Sequence, residues 1–143
     1  MVACFYSNLG SVTLLCGAPG IDPNIQNIYG DTAAMLYLYR DNADCLAEVL
    51  RLPGVDINMR DNDGNAAIHM AVTVYSLKCM NLLLQTDTVD VNLKNSAGNT
   101  AAMMCLMENK REMFKAIMES AKVDLSIKNA ENKTLEEIAR YEG

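Results

Sequence analysis

The stretch VDINMRDNDGNAAIHMAV, residues 55–72, joins an acidic half that contains a glycine to an apolar half with the composition of a helix. Its first half is similar to a metal-binding loop, so the stretch decides between a metal site and a scaffold. If Gly64 were the sixth position of a calcium loop, positions one and twelve would be Met59 and Met70, which offer no oxygen ligand. The metal interpretation therefore fails, and the aspartates are predicted to be turn residues.

The same stretch recurs along the chain at a step of 34 residues. One copy starts at residue 21 as IDPNIQNIYGDTAAMLYL, and others start at residue 89 as VDVNLKNSAGNTAAMMCL and at residue 123 as VDLSIKNAENKTLEEIAR. The turn residues keep the same register: Gly30, Gly64, Gly98 and Asn132. A fixed period of this length is typical of a solenoid of stacked units. The recurring residues are therefore interpreted as packing residues.

A second periodic segment lies between successive copies. Its apolar residues are spaced i, i+3, i+4, which is the spacing of one helix face. The four sets are Val12/Leu15/Cys16, Leu46/Val49/Leu50, Met80/Leu83/Leu84 and Phe114/Ile117/Met118. Each unit is therefore predicted to contain a second helix with one buried stripe and a solvated polar face.

The first helix of each unit is predicted to begin just after the turn. A hydroxyl that can cap free N–H groups stands there in three copies, as Thr32, Thr100 and Thr134. The second copy has Ala66 instead, and we expect the missing cap to lower the stability of the protein by about 1 kcal/mol. The turn glycines are expected to have a positive φ, and Asn132 is the non-glycine residue best able to take their place.

A unit of turn, helix, short turn, antiparallel helix and return loop, about 33 residues long, resembles the ankyrin repeat. The family motif, usually written G-x-T-P-L-H-x-A-A, is approximated by GNAAIHMAV at 64–72 and more loosely by GNTAAMMCL at 98–106. The end of the family's return loop, a D-V-N-like tripeptide, is matched at 56–58 and 90–92. The motif's proline is absent from every copy and its histidine is present only as His69, which leaves the subfamily open.

The resemblance implies an all-α fold, an ankyrin-repeat solenoid of stacked helix-turn-helix units with β-hairpin-like turns, about three full repeats and partial ends. A single ankyrin-repeat domain is expected over 1–143. Its approximate repeats are 1–29 (partial), 30–63, 64–97, 98–131 and 132–143 (partial). The C-terminal repeat has a polar outer face, whereas the N-terminal edge is apolar at Val2, Ala3, Phe5 and Tyr6. Either the chain was cut from a longer array or this edge meets a partner, and the edge also permits a weak homo-oligomer.

The charge balance argues against two classes of partner. The chain has 18 acidic and 12 basic residues, a net charge of −6, and no basic run longer than Lys110–Arg111. Neither nucleic acid nor an anionic membrane is therefore an expected partner. The N-terminus lacks the positive region of a secretion signal, no apolar run is long enough to span a membrane, and an odd count of five cysteines fits a reducing compartment. A cytoplasmic location is expected, with the nucleus as the alternative.

No residue is predicted to be catalytic, and no metal or cofactor is expected. The chain has no P-loop, dinucleotide fingerprint, CxxC pair or HExxH motif. All five cysteines occupy register positions typical of a core: Cys4, Cys16, Cys45, Cys79 and Cys105. Free cysteine packs as a small hydrophobe, so a thiol enzyme with His69 as its base is the weaker hypothesis. The resemblance implies instead that His69 hydrogen-bonds between neighbouring turns.

The resemblance implies a non-catalytic protein-protein interaction module that binds a partner protein on a concave face made of hairpin tips and first helices. The family's contact positions, carried over copy by copy, are Ile28, Tyr29, Asp31, Tyr39, Arg40, Asn62, Asp63, Asn65, Thr73, Val74, Ser96, Ala97, Asn99, Met107 and Glu108. Tyr29, Tyr39 and Arg40 are the predicted anchors, because these residue types are enriched at interface cores. The alternative for the two tyrosines is that they only shield the next turn.

A second functional hypothesis stays open beside this one. The chain would then be a regulatory ankyrin segment of a larger channel, enzyme or adaptor, or a viral or bacterial ankyrin effector that mimics host ankyrin inhibitors.

The resemblance also implies a modification, since ankyrin arrays are substrates of an asparaginyl hydroxylase. That enzyme favours a leucine eight residues before the target asparagine of a D-V-N tripeptide. Asn92 after Leu84 fits this pattern, and Asn58 after Leu50 nearly fits it. The favoured alternative is that both asparagines only hydrogen-bond their own loop.

Overall fold

The computed structural model describes residues 20–120 and 122–142, together with Gly10 and Ala18. This part of the chain contains seven helices: α1 (Ala33–Tyr39), α2 (Ala43–Leu50), α3 (Ala67–Thr73), α4 (Leu77–Leu84), α5 (Ala101–Met107), α6 (Arg111–Glu119) and α7 (Leu135–Glu142). The expectations for Cys4, Cys16, the stripe Val12/Leu15/Cys16, the apolar N-terminal edge and most of the first partial repeat lie outside the described residues.

The helices stack in two layers. The first helices contact each other in the order α1, α3, α5 and α7, and the second helices in the order α2, α4 and α6. Within each repeat the two helices also contact each other, as in the pair α1 and α2. The predicted all-α solenoid of helix-turn-helix units is therefore confirmed. Within the described segments, no helix has both the length and the apolar character needed to cross a bilayer.

Threonine caps start three of the four first helices, as predicted. Thr32 Oγ1 accepts a hydrogen bond from the Met35 amide at 3.5 Å, and Thr100 Oγ1 accepts one from the Met103 amide at 3.4 Å. Thr134 caps α7 through Oγ1 and donates its own amide to Glu137 Oε2 at 2.7 Å, the two bonds of a capping box. Helix α3 begins after Ala66 with no side-chain cap, also as predicted.

The turns inside the repeats place a non-glycine residue in the left-handed region each time. These residues are Asp41 (φ 50°), Tyr75 (φ 56°) and Asn109 (φ 54°). The next residue caps the second helix in two repeats, where Asn42 accepts from the Cys45 amide at 3.0 Å and Ser76 accepts from the Cys79 amide at 3.2 Å. In these two repeats a side-chain cap therefore fixes the start of the second helix, whereas α6 begins after Lys110 without one.

The buried face of the second helices is shifted by one residue from the predicted stripe. Leu46, Val49, Met80, Leu83 and Ile117 are buried as expected. The last predicted position of each stripe and Phe114 are only half-buried: Leu50, Leu84, Met118 and Phe114. The core instead takes in Cys45, Cys79 and Met113, each one residue before the stripe. Positions i−1, i and i+3 form one continuous helix face, so the face is rotated rather than absent.

Hairpin-like turns connect the repeats, and their glycines have the predicted positive φ. Gly30, Gly64 and Gly98 have φ values of 82°, 74° and 76°, and Asn132 has a φ of 62°. A Cβ at Gly98 would lie 2.5 Å from the backbone nitrogen of Ala130. Glycine is therefore required at this position for two reasons: the positive φ of the backbone and the close approach of the next turn.

Candidate functional site

The predicted concave strip consists of hairpin tips and the C-terminal ends of first helices. Its large apolar side chains are exposed by 84% at Ile28, 66% at Tyr29, 53% at Tyr39 and 47% at Met107. The smaller and polar positions that are also exposed are Arg40, Asn62, Asp63, Thr73, Ser96, Ala97 and Glu108, while Asn65, Val74 and Asn99 are half-buried. Most of the predicted positions are thus exposed or half-buried at the surface.

Asp31 departs from this pattern because its side chain is only 6% exposed. Its carboxylate accepts a hydrogen bond from Asn27 Nδ2 at 3.1 Å, and its amide donates to Asn27 Oδ1 at 2.9 Å. The residue therefore closes its own turn. Asp31 is therefore a structural residue of the turn rather than a candidate for partner contact.

Hydrogen bonds between successive hairpins hold the tips in register. The Asn62 amide donates to the Tyr29 carbonyl and the Asn62 side-chain nitrogen donates to the Ile28 carbonyl, both at 3.0 Å. The Ser96 amide donates to the Asp63 carbonyl at 3.1 Å. The tips are therefore ordered by the stack, so a partner would meet a preformed surface.

An Asx residue at the base of each hairpin organises the tip. Asp61 Oδ1 accepts from the amides of Asp63 and Asn65 at 2.9 and 2.8 Å, in agreement with the predicted turn role of these aspartates. The same paired bonds occur at Asn27, Asn95 and Asn129. The sequence contained this signal as a polar residue recurring at the repeat step, but its geometry emerges only in the fold.

Side chains at two predicted contact positions also link neighbouring hairpins. Asn95 Nδ2 donates to Asn65 Oδ1 at 3.2 Å, and Asn129 Nδ2 donates to Asn99 Oδ1 at 3.1 Å. Sequence reasoning did not identify these bonds. The amide oxygens of both residues are therefore already engaged inside the stack, which leaves their exposed neighbours as the stronger candidates for partner contacts.

Tyr39 lies beside a group of carboxylates at the centre of the strip. Partial burial raises the pKa of its hydroxyl, and the negative charges of Asp31, Asp61 and Asp63 raise it further. The tyrosine belongs to α1, whereas Asp61 and Asp63 belong to the next hairpin. The strip therefore presents a neutral phenol next to acidic hydrogen-bond acceptors.

A ladder of asparagine side chains, each bonded to the following repeat, joins the return loops. Asn58 Nδ2 donates to the Thr88 carbonyl at 2.8 Å, while Asn58 Oδ1 accepts from the Asp90 amide at 2.9 Å. Asn92 makes the same two bonds, both at 2.8 Å, to the Lys122 carbonyl and the Asp124 amide. The expectation that these asparagines bond only their own loop is wrong, because each side chain bonds the loop of the following repeat. Their hydroxylation stays a prediction.

His69 bridges turns, as the resemblance implied. Its Nδ1 accepts from the Ala66 amide at 3.1 Å, and its Nε2 lies 3.0 Å from the Leu93 carbonyl and 3.2 Å from the Asn99 carbonyl. The ring is fully buried, and burial lowers its pKa. A neutral ring with the proton on Nε2 satisfies all three contacts.

The described cysteines lie in the core, as predicted. Cys45, Cys79 and Cys105 are buried and free of disulfides. Burial raises the pKa of the Cys79 thiol and raises that of Cys105 to about 12. A nucleophilic cysteine needs the opposite shift, since the thiolate is the reactive form. In the part of the chain that the structure describes, no cluster of three or more His, Cys, Asp or Glu residues could hold a metal ion.

Comparison with known proteins finds matches to a family model and to solved structures. A family model described as ankyrin repeats (3 copies) matches residues 1–95 and again residues 40–129. The crystal structure of EF0377, an ankyrin repeat protein, superimposes with a TM-score of 0.85 at 23% sequence identity, covering 99% of this chain and 73% of that chain. At this identity the likeness is one of fold alone. A search of curated protein sequences finds no match.

Proposed function

Because this chain belongs to the ankyrin-repeat family, whose members are generally protein-interaction modules, we propose that it binds a partner protein on its concave strip. Tyr29, Tyr39 and Arg40 are the proposed anchors. The expected occupant is a protein segment that lays an apolar side chain against the tyrosines and offers hydrogen-bond donors to the acidic centre of the strip.

The observation that carries this proposal is the exposure of large apolar side chains on a strip whose backbone is ordered. The exposed fractions of Ile28, Tyr29, Tyr39 and Met107 lie between 47% and 84%. Other residues of the same types, such as Tyr37 and Met103, are buried in the core. Exposed apolar surface rimmed by polar residues is characteristic of protein-interaction sites. Tyrosine and arginine are, in addition, enriched among the residues that dominate binding energy.

The acidic centre of the strip favours a partner with donor groups. Tyr39 has Asp61 and Asp63 as electrostatic neighbours, and both carboxylates belong to an exposed or half-exposed turn. Asp61 Oδ1 is engaged by backbone amides, so the more exposed Asp63 is the better acceptor for a partner. Complementary charge at such a rim contributes mainly to association rate and specificity.

The test is a comparison of two tyrosine variants in affinity capture followed by mass spectrometry. Tyr39→Ala removes a proposed anchor, whereas Tyr75→Ala removes a tyrosine of similar exposure, 57%, from the turn between α3 and α4, at a position that is not among the predicted contacts. We expect Tyr39→Ala to reduce partner capture by about tenfold or more. The Tyr75→Ala protein should capture the partner as wild type does. Equal capture by wild type and a correctly folded Tyr39→Ala protein would remove the proposal.

We propose further that the module is not catalytic, and thiol reactivity tests this part. A Cys4→Ser/Cys16→Ser variant leaves three cysteines, all of which are buried. A disulfide reagent at neutral pH should react with them only after denaturant is added, because buried and protonated thiols are unreactive. Rapid modification of any of the three in the folded protein would instead support a thiol enzyme.

A further inference from the structure

Three basic residues recur at the repeat step on the return-loop side of the hairpins. Arg60, Lys94 and Lys128 are exposed and stand 34 residues apart. All three line one open groove of about 630 Å³. We call these three residues the basic stripe. It is a local reversal of sign in a chain whose net charge is −6.

None of the three cations of the basic stripe forms a salt bridge with a carboxylate of the described residues, although the charge of Lys128 acts on Glu137. In the described segments the ion pairs are formed by other cations, for example Lys78 with Asp44 and Lys133 with Glu131. Lys94 Nζ donates to the carbonyl of Lys128 at 3.1 Å, which places these two cations in adjoining positions. Exposed cations that form no salt bridge attract an incoming anionic group.

The remaining groove residues give it an apolar floor. Leu93 and Ile127 are half-buried aliphatic residues between the cations. The polar lining is already engaged, since Asn92 bonds the next return loop and Ser126 Oγ donates to Asp124 at 2.6 Å. What the groove offers to a ligand is therefore positive charge above aliphatic surface.

We propose that the basic stripe binds an extended acidic segment of a partner protein, in which carboxylates are interspersed with apolar side chains. An extended chain rises about 3.3 Å per residue, so one segment that lies along the groove can bring carboxylates to the cations and apolar side chains to Leu93 and Ile127. None of the residues that line the groove belongs to the concave strip. Binding at the stripe and binding at the strip can therefore be tested with different variants.

A polypeptide fits the groove better than a nucleic acid does. Three cations neutralise few phosphates, and the net charge of −6 repels a polyanion that extends beyond the groove. The residues that line the groove include no aromatic side chain on which a base could stack. The aliphatic floor also matches apolar side chains rather than a sugar-phosphate backbone.

The experiment uses fluorescence anisotropy with a short labelled peptide of alternating glutamate and leucine as the probe. The test variant is Arg60→Gln/Lys94→Gln/Lys128→Gln. The matched control is Lys78→Gln/Arg111→Gln/Lys115→Gln, which removes the same charge from exposed helical positions. Circular dichroism melting of each protein ensures that all three are folded.

We expect wild type and the control to bind the peptide, with an affinity that falls as salt rises. The stripe variant should bind about tenfold more weakly or not at all, since three small electrostatic contributions are lost together. Tyr39→Ala should bind this probe like wild type, which separates the stripe from the proposed function of the concave strip.

Four results would overturn the proposal. The first is no peptide binding by wild type, and the second is equal loss in the stripe and control variants. The third is tighter binding of a labelled single-stranded oligonucleotide than of the peptide, which would point to a nucleic acid. Sedimentation at two concentrations covers a further alternative: self-association of wild type that the stripe variant lacks would identify a second copy of this chain as the occupant and contradict the proposal.

Discussion

The Nε2 atom of His69 lies 3.0 Å from the carbonyl oxygen of Leu93, although the two residues are 24 positions apart. At the same time Nδ1 accepts a hydrogen bond from the amide of Ala66, the N-cap residue of α3, whose own side chain cannot cap the helix. A protonated ring cannot accept that bond, because both of its nitrogens carry hydrogens. The folded structure therefore requires the neutral form of the His69 ring.

His69 should make the stability of the protein depend on pH below about 6.5. Burial lowers its pKa in the folded state, so the unfolded chain binds this proton more readily than the folded chain does. The contribution of neutral His69 to the free energy of unfolding should be complete above the ordinary pKa of 6.5. It should decrease as the pH falls from 6.5 toward the lower pKa of the folded state. Each pH unit in this window removes up to about 1.4 kcal/mol.

Urea unfolding of wild type and His69→Gln at several pH values checks this dependence. His69 is the only histidine of the chain, so the variant should be less stable near neutral pH but should lack the decline that begins near 6.5. If the two proteins show parallel pH profiles, the decline has another source.

Asn92→Ala should weaken the coupling between the last two return loops. The change removes the bond from Nδ2 to the Lys122 carbonyl and the bond from the Asp124 amide to Oδ1. Two hydrogen bonds of this kind contribute about 1 to 3 kcal/mol together. Asn81→Ala, at an exposed position of α4, is the control and should not lower the urea midpoint. Equal midpoints for the two variants would show that the ladder contributes nothing.

Gly98→Ala and Gly54→Ala separate a steric effect from a conformational one. Both glycines have a φ of 76°, so alanine is strained by about 1 to 2 kcal/mol at either position. The Cβ at Gly98 would also lie 2.5 Å from the Ala130 nitrogen, whereas nothing lies within 4 Å of a Cβ at Gly54. We expect Gly98→Ala to lose roughly 2 kcal/mol more than Gly54→Ala in denaturant unfolding. Similar losses in the two variants would mean that the turn at Gly98 and the turn at Ala130 move apart easily enough to accept the added Cβ.

Leu83→Asp should abolish cooperative unfolding. Leu83 is fully buried in α4, and an unpaired carboxylate there costs several kcal/mol of a total stability that is about 5 to 15 kcal/mol in most domains. Asn81→Asp places the same side chain on the exposed face of the same helix and should melt like wild type. A sharp, unshifted thermal transition for Leu83→Asp would show that the core has been misplaced.

Much of the fold could be predicted because its determinants are local and periodic. Thr32 and Thr100 cap their helices where the register placed them, and Asn132 takes the positive φ of the glycines it replaces. Such features depend on a few neighbouring residues, so one copy of the repeat informs the others. The burial of Met113 and the partial exposure of Leu84 were missed, because a three-residue spacing alone does not determine how a short helix is rotated about its axis.

The candidate site was harder to predict, because a contact position must be exposed and its side chain must not already be bonded within the stack. The register correctly indicated which residues reach the hairpin tips and helix ends, as the exposure of Tyr29 and Tyr39 illustrates. It did not indicate which of those side chains the stack itself uses. Asp31 closes its own turn, and Asn65 and Asn99 accept bonds from the following hairpin.

The sequence by itself determined the repeat period, the helix starts, the turn glycines and the ankyrin-repeat fold, since all of these are expressed in residues close together in the chain. Only the tertiary structure decided that Asn58 and Asn92 bond the loop of the next repeat and that Arg60, Lys94 and Lys128 line one groove. Those relationships join residues 30 or more positions apart. They depend on how one repeat lies upon the next, and the spacing of residues within a single repeat does not contain that geometry.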